Sequence, residues 1–260
     1  MGAKKSSSGT TVINRGRARW MIADYLPTTL FSLRLTQANS KGGKTGILPT
    51  PYAMKMALID AAFRMAGDAE AQNLAKSVFD CVKERDIRFL PPATAVVQNT
   101  FIRVLDESDG PEQFKRTIAY REFVYYQDEI RVAIGVGGCR SEEEDLIRRL
   151  FLHINYLGKR GGFMQFTGYE VIDGDLPLGF SVPVADAGGD LSRYGLVRAL
   201  DDFGPALCSA KDGFERISTY GSKPITLGEH RVLVPTLIGL FQREANRRST
   251  IYRVPTSHSQ

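Results

Sequence analysis

The chain has 260 residues, of which 43% are hydrophobic and 24% charged, with a formal net charge of +5 and a pI of about 9.1. This composition is typical of a soluble globular protein, and no apolar run is long enough to span a membrane. The excess of basic residues is compatible with a polyanionic partner. The three cysteines, Cys81, Cys139 and Cys208, are widely spaced and match no metal pattern. We therefore predict a cytoplasmic protein with reduced thiols and without a cofactor, metal or membrane contact.

The first predicted elements lead from a tail to a helix. Residues 1–16 carry lysine, serine and glycine without an apolar segment, so we expect a disordered tail there. Residues 19–36 follow as an extended segment with a bend expected at Pro27, and its last part has apolar–polar alternation. A glycine loop over 37–49 then precedes Thr50 and Pro51, which suit the N-cap and the first position of a helix.

The next elements are a helix and a run of strands. Gly67 ends the first helix, and we predict a second helix from Asp68 to about Arg85. Residues 94–105 have the β-branched and apolar composition of a strand. Residues 117–136 are rich in Ile, Tyr, Phe and Val, which predicts one long strand or two short ones.

A third helix and a further strand complete the first part of the chain. Ser141 and Glu144 have the spacing of a capping box at a helix start. Glycines over 158–162 end this helix, and residues 163–172 are predicted as a strand. The order strand, helix, strand, strand, helix, strand is the βαββαβ plan of a ferredoxin-like, RRM-like domain of the α+β class. Domains of this plan often bind RNA on one sheet face.

The sequence divides into two predicted regions. Residues 17–173 form the RRM-like domain, and residues 174–254, which are punctuated by glycine and proline, form a smaller and mostly β lobe. A second short tail covers 255–260. The short strands predicted in the lobe lie near 179–184, 217–219 and 231–240.

The loop before the first helix is the most informative motif. Lys41 and Lys44 flank two glycines, and the proline-bracketed helix start presents Thr50, Tyr52 and Lys55 beside them. Backbone N–H groups, lysines and a helix N-terminus together form the kind of site that binds an anion, and phosphate is the anion we predict. A plain surface loop is the competing interpretation.

The same loop also matches a relaxed Walker A pattern with Ala38 in place of the first glycine. A P-loop lysine opens a helix. Here Pro49 and Pro51 delay the helix start beyond Lys44. A nucleotidase is therefore the most distant alternative.

A second cationic turn lies between the third helix and its strand. Lys159 and Arg160 stand between glycines, which allow the backbone to approach a ligand closely, and Phe163 offers a stacking face. A plain turn with core aromatics is the competing interpretation. Lys115 and Arg116 lie between two β segments, where a hairpin tip could grip a nucleic-acid backbone.

Catalytic patterns are weak in this sequence. The sequence has no recognisable Ser/His/Asp or Cys/His catalytic set, and its acidic residues do not have the spacing of a catalytic pair. His230 follows Gly228 and Glu229 in a predicted loop and is the one histidine that suits a general acid or base. A metal-independent endoribonuclease of related fold is therefore the alternative to a binding protein.

Two segments, residues 46–58 and 156–163, resemble the first helix and the glycine-rich loop of the Cas-five family of CRISPR-associated RAMP-superfamily proteins. The order of elements agrees over roughly 18–173. The resemblance implies a non-catalytic subunit of a Cascade-type, RNA-guided surveillance complex for antiviral defence. Such a subunit caps one end of the complex and holds the 5′ handle of the crRNA. It also implies a hairpin thumb near 106–128.

The resemblance further implies partners and contacts. The partners are the crRNA, a backbone RAMP subunit and the large subunit, with contact to target DNA at most indirect. One branch of the family cuts precursor crRNA with Tyr, Lys and His, a set that cannot be placed here because His230 lies outside the matching region. Carried over by position, the handle contacts fall on Arg34, Lys41, Lys44, Thr50, Tyr52, Lys55, Lys159 and Arg160.

Overall fold

The computed structural model describes residues 18–35, 42–106, 115–218 and 222–255. The predicted tail over 1–16, and all but the first residue of the tail over 255–260, lie outside these ranges. The helices are α1 (Pro51–Met65), α2 (Asp68–Val82), α3 (Ser141–His153), α4 (Pro205–Ser209) and α5 (Gly213–Ile217). The strands are β1 (Arg19–Pro27), β2 (Leu33–Arg34), β3 (Gly42–Gly43), β4 (Thr45–Gly46), β5 (Ile87–Leu90), β6 (Thr94–Asp106), β7 (Lys115–Tyr126), β8 (Ile130–Gly135), β9 (Met164–Asp173), β10 (Val182–Pro183), β11 (Leu196–Phe203), β12 (Arg231–Ile238), β13 (Phe241–Ala245) and β14 (Ser249–Arg253).

The predicted α+β class is confirmed, and its centre is a four-stranded antiparallel sheet in the order β5-β8-β1-β9. On one face, Met21, Ala23 and Tyr25 of β1 share a core with α1, α2 and α3. On the other face, Ile22 packs with Ala133 and with Phe180 from the segment after β9. Both faces of β1 are therefore buried. Within the described residues, no helix is both long and apolar enough to cross a bilayer.

The β6–β7 hairpin differs from the prediction for this region. Its register runs from Ala95 opposite Tyr126 to Asp106 opposite Lys115, so its strands begin earlier than the thumb expected near 106–128. The apolar run over 117–136 is two strands in different sheets, β7 and β8. The sequence analysis missed β5, which is only four residues long but buries Ile87 and Phe89 by alternation.

Two local predictions are also corrected, and a third is confirmed. The capping box at the start of α3 lies one residue before the predicted pair of Ser141 and Glu144. The N-cap is Arg140, whose N–H donates to the Glu143 carboxylate at 3.1 Å. The bend expected at Pro27 is confirmed, because β1 ends at this residue and the later part of the segment forms β2 in another sheet. Ile217 does not open the strand expected at 217–219 but ends α5, where it is buried with Phe214 at helical spacing, and residue 219 lies outside the described residues.

The C-terminal strands divide between two sheets. β10, β12 and β11 form a three-stranded antiparallel sheet, so the strand predicted over 231–240 is confirmed as β12. The β13–β14 hairpin joins the other sheet, in the order β13-β14-β6-β7-β3. That residues 174–254 form a separate lobe stays a prediction, because β13 and β14 of this region share a sheet with β6 and β7, which precede it.

A buried ion pair connects α1 to β11. The Lys55 side chain is only 1% exposed, and its Nζ lies 2.7 Å from Oδ1 of Asp202. The same Nζ donates to the carbonyl oxygen of Lys83 at 3.0 Å and lies 5.4 Å from the ring centroid of Phe203. Burial raises the pKa of the Asp202 carboxyl, while the Lys55 ammonium opposes that shift.

We expect Lys55→Met to lower the free energy of unfolding by about 3 kcal/mol, because it leaves the Asp202 carboxylate without its counter-ion. Urea unfolding measures the change. Lys76→Met is the matched control: Lys76 and Glu215 are each 52% exposed and 3.6 Å apart, so we expect a loss of about 0–1 kcal/mol. Equal losses in the two variants would contradict a structural role for the buried pair.

Candidate nucleic-acid interface

A cavity of about 610 Å³ opens beside α1 between Thr50 and Asp60, and we call it the α1 groove. Its volume lies within the roughly 300–1,000 Å³ of small-molecule sites. The β2–β4 pair, the turn after α3 and the strand β11 form its other walls. Its apolar lining includes Leu33, Leu35, Ile47, Leu48, Met56, Ala57 and Leu200. Its charged and polar lining includes Arg34, Thr50, Tyr52, Asp60, Lys159, Arg198, Asp201 and Arg231.

The N-terminus of α1 faces this groove. The predicted cap is confirmed: the N–H of Ala53 donates to Oγ1 of Thr50 at 3.2 Å, and Pro51 takes the first helical position. The first turn carries no acidic residue. The partial positive charge of the helix N-terminus is therefore not offset by a carboxylate within its own first turn.

The glycine loop is fixed against its neighbours by two hydrogen bonds of Thr45. Its Oγ1 accepts the N–H of Leu33 at 2.8 Å, and its own N–H donates to the Glu122 carboxylate on β7 at 2.9 Å. Lys44 is exposed but does not line the groove, and Lys41 lies outside the described residues. Lys44 also lies between β3 and β4, so the predicted delay of the helix start beyond this lysine is confirmed, and the Walker A match lacks the helix that a P-loop lysine opens.

The second cationic turn lies next to the first loop. Gly162 donates its N–H to the carbonyl of Lys159 at 3.0 Å, and Leu157 donates to the carbonyl of Gly162 at 3.1 Å. Gly158 has a φ of +72°, and a Cβ there would lie 2.9 Å from Cδ2 of Leu33. The second turn therefore packs against Leu33 of β2, the strand that pairs with β4 of the first loop, and Lys159 lines the groove.

The predicted site residues separate into two groups. Arg34, Thr50, Tyr52 and Lys159 line the groove together. Lys55 does not, because its ammonium group is buried against Asp202 and the Lys83 carbonyl, so its prediction as a surface RNA contact is corrected.

The remaining predicted residues lie outside the groove. Arg160 and Phe163 are exposed on the same turn as Lys159, and Phe163 is 50% exposed. Arg116 is exposed on β7. Lys115 opens β7, but its side chain lies outside what the structure describes.

Sequence reasoning missed two arginines of the groove. Arg231 stacks on Tyr52, with its guanidinium carbon 4.0 Å from the ring centroid, and forms an ion pair with Asp201. Burial raises the pKa of the Tyr52 hydroxyl, and the charge of Arg231 opposes this shift. Arg198 enters from β11. Both arginines lie beyond the segment that carried the family resemblance, where the sequence offered no aligned motif.

Positive charge predominates among the described residues that line the groove. Arg34, Lys159, Arg198 and Arg231 supply four cations, and Asp60 and Asp201 supply two carboxylates. Each carboxylate already has a partner. Asp60 accepts from Arg64 at 2.9 Å, and Asp201 pairs with Arg231. The arrangement therefore favours an anionic ligand with an apolar part.

His230 is adjacent to Arg231 in the chain, but it does not line the groove. The N–H of Thr226 donates to its Nδ1 at 3.2 Å, so this nitrogen acts as an acceptor within a local turn. A proton on this imidazole then resides on Nε2. The imidazole contributes to the turn that precedes β12.

The chain has a curated relative of known family. No family model matches the chain. CRISPR-associated protein Cas5 from Archaeoglobus fulgidus is 29% identical to it over 149 residues. The match covers 56% of this chain, and it spans 61% of the relative's length. It confirms the resemblance to the Cas-five family that the two motifs indicate.

Two solved structures are also similar to the chain. A crystal structure of a CRISPR protein from Archaeoglobus fulgidus aligns over 92% of both chains with 12% identity and a TM-score of 0.44. A chain in a cryo-EM structure of the Type III-B Cmr-beta bound to cognate target RNA aligns with 14% identity and a TM-score of 0.43. That alignment covers 60% of this chain and 61% of the other. Both TM-scores are low, so neither similarity by itself indicates a function.

We expect Gly162→Ala to destabilise the second turn, because the added Cβ would lie 2.9 Å from the Leu157 carbonyl oxygen and 3.3 Å from that of Lys159. The backbone must shift to relieve these contacts, at a cost of about 1–3 kcal/mol in the free energy of unfolding. Gly189→Ala is the control, since a Cβ at Gly189 meets nothing within 4 Å. We expect it to change stability by less than about 0.5 kcal/mol. Equal stability of the two variants in urea unfolding would show that the turn tolerates a side chain.

Proposed function

We propose that the chain is the RNA-binding subunit of a CRISPR RNA-guided surveillance complex of the Cascade type, where it caps one end and holds the 5′ handle of the crRNA. One observation carries this proposal: Arg34, Lys159 and Arg198 meet the N-terminus of α1 at a single groove. Arginine, lysine and helix N-termini are the groups that bind nucleic-acid phosphates. The similarity to a Cas5 protein supports the same assignment.

We interpret the central sheet as the platform of a ferredoxin-like, RRM-like domain. The helices α1 and α2 connect β1 to β5, and α3 connects β8 to β9. With the strand order β5-β8-β1-β9, these connections follow the βαββαβ plan. The β6–β7 hairpin is then an insertion between the second and third strands of the plan. We assign it as the thumb that contacts the backbone RAMP subunit.

The sheet face opposite the helices is a poor alternative RNA site. Phe180 covers Ile22 and Ala133 there. Arg131 is held by Asp24 at 2.8 Å and by Glu170, so its charge is neutralised within the sheet. An RNA strand gains more electrostatic energy at the α1 groove, where the cations outnumber the carboxylates.

We expect Lys159→Ala to weaken binding of single-stranded repeat RNA and to flatten its salt dependence. Each phosphate contact on a single strand contributes about −0.7 to the slope of log K against log salt concentration. Losing one contact should reduce the magnitude of the slope by about that amount. Fluorescence anisotropy at several salt concentrations measures it.

Lys211→Ala is the matched control for this measurement. Lys211 is exposed like Lys159 but does not line the groove. We expect its slope to equal that of the wild type. An unchanged slope for Lys159→Ala would remove this lysine from the RNA contact.

The endoribonuclease alternative makes a different prediction. If the chain only binds RNA, we expect the purified protein to leave repeat RNA intact in EDTA, because His230 does not reach the groove. Denaturing electrophoresis of end-labelled RNA checks this. Cleavage that is lost in His230→Ala would replace the binding function with a catalytic one.

A further inference from the structure

We propose that Lys55 and Cys208 form an oxidisable pair, in which peroxide converts the thiol into a reversible S–N bond to the lysine amine. Lys55 lies on α1 and Cys208 on α4, and neither residue lines the α1 groove. The modification site is therefore separate from the proposed RNA contact, and its formation does not require RNA.

The two side chains meet at the carbonyl oxygen of Lys83, the residue that follows α2. Lys55 Nζ donates to this oxygen at 3.0 Å, and Cys208 Sγ donates to it at 3.3 Å. Two donors on one acceptor can be no farther apart than the sum of their distances to it, so modest side-chain rotations bring nitrogen and sulfur into contact. Cys208 is only half-buried, so a small oxidant can reach this residue.

Asp202 supplies the base that such a reaction needs. Its Oδ1 lies 2.7 Å from Nζ of Lys55, and burial raises the pKa of its carboxyl. A lysine amine attacks sulfur only after it has lost a proton, and a carboxylate that is costly to keep charged accepts that proton readily. Once the proton has moved, two buried ions have become two neutral groups, which removes the cost of holding charges away from water.

The covalent change takes two steps. In the first, the Cys208 sulfur attacks one oxygen of hydrogen peroxide, the O–O bond breaks, and a sulfenic acid and a water form. In the second, the neutral amine of Lys55 attacks that sulfur, an S–N bond forms, the S–O bond breaks, and the hydroxyl group leaves as water with a proton from the amine. The sulfur is oxidised by two electrons, and the peroxide is reduced to water. Sulfenic acids condense with backbone nitrogen in the same way.

The surroundings of the thiol determine how the rate depends on pH. Burial raises the pKa of the Cys208 thiol, and the ammonium of Lys55 is the largest charge that opposes this shift. The thiolate is the form that attacks peroxide, and a raised pKa keeps its fraction small near neutral pH. The bond should therefore form slowly near neutral pH and faster as the pH rises.

Peptide mapping after mild oxidation of the full chain tests the proposal. The protein is treated with equimolar hydrogen peroxide, the remaining thiols are alkylated in urea, and tryptic peptides are identified by mass spectrometry. We expect a linked pair of peptides that joins Lys55 to Cys208, forms faster at higher pH and separates on treatment with dithiothreitol. The same oxidation in urea should give no such pair, because unfolding separates the two residues. A sulfinic acid, a disulfide or an unmodified thiol at Cys208 of the folded protein would overturn the proposal.

Two conservative variants identify the reacting groups. Lys83 is the other lysine whose charge acts on Cys208, and its own Nζ lies 2.8 Å from the Asp80 carboxylate. We expect Lys83→Arg to form the linked pair as the wild type does, and a bond to Lys83 in place of Lys55 would overturn the assignment. Cys208→Ser keeps a donor for the Lys83 carbonyl and should give no linked pair.

Urea unfolding provides an independent readout of the bond. A cross-link between residues far apart in sequence restricts the unfolded chain, so we expect oxidation to shift the urea midpoint of the wild type upward. The midpoint of Cys208→Ser should not shift upward after the same treatment, and equal upward shifts would contradict the proposal. If Cys208→Ser does not fold, peptide mapping of the wild-type protein still decides.

Discussion

The buried ion pair between Lys55 and Asp202 determines how the two ends of the chain fit together. It joins α1 to β11 at a place where Phe203 also packs against Tyr52 and Phe79. Removing a lysine ammonium from water is costly unless a carboxylate and a further acceptor accept its hydrogen bonds, as Asp202 and the Lys83 carbonyl do here. The geometry of that contact fixes the distance between α1 and the C-terminal sheet. The α1 groove lies beside this contact, with α1 and β11 as two of its walls.

The groove therefore combines residues that local sequence signals reveal and residues that they cannot. Thr50 and Pro51 could be predicted because capping depends on neighbours within a few positions. Arg198 and Arg231 could not, because only the long-range packing of β11 and β12 brings them to α1. Lys55 was misplaced for a related reason. Its type indicated the surface, but it follows Met54 and is one turn before Ile59, both of which are buried.

The fold, like the groove, has parts that the sequence predicts and parts that it does not. The sequence predicted the order strand, helix, strand, strand, helix, strand. In chain order, however, the second strand of the central sheet is β5 and not the longer 94–105 segment. A strand of four residues gives little periodicity, while a long hairpin with alternating apolar residues gives much. The apolar run over 117–136 gave no sign that β7 and β8 belong to different sheets. That difference depends on which partners the strands find, and composition alone does not encode that.

The pairing of β14 with β6 has a consequence for how the molecule is made. β6 and β7 are neighbours in sequence and can form a hairpin as soon as both are synthesised, but β14 can pair with β6 only after the long intervening segment has been made. Contacts of such large sequence separation form slowly, because the intervening chain must first be ordered. Until then β6 presents an open edge to other chains. The growing polypeptide is therefore open to mispairing at β6 from the synthesis of the β6–β7 hairpin until the synthesis of β14.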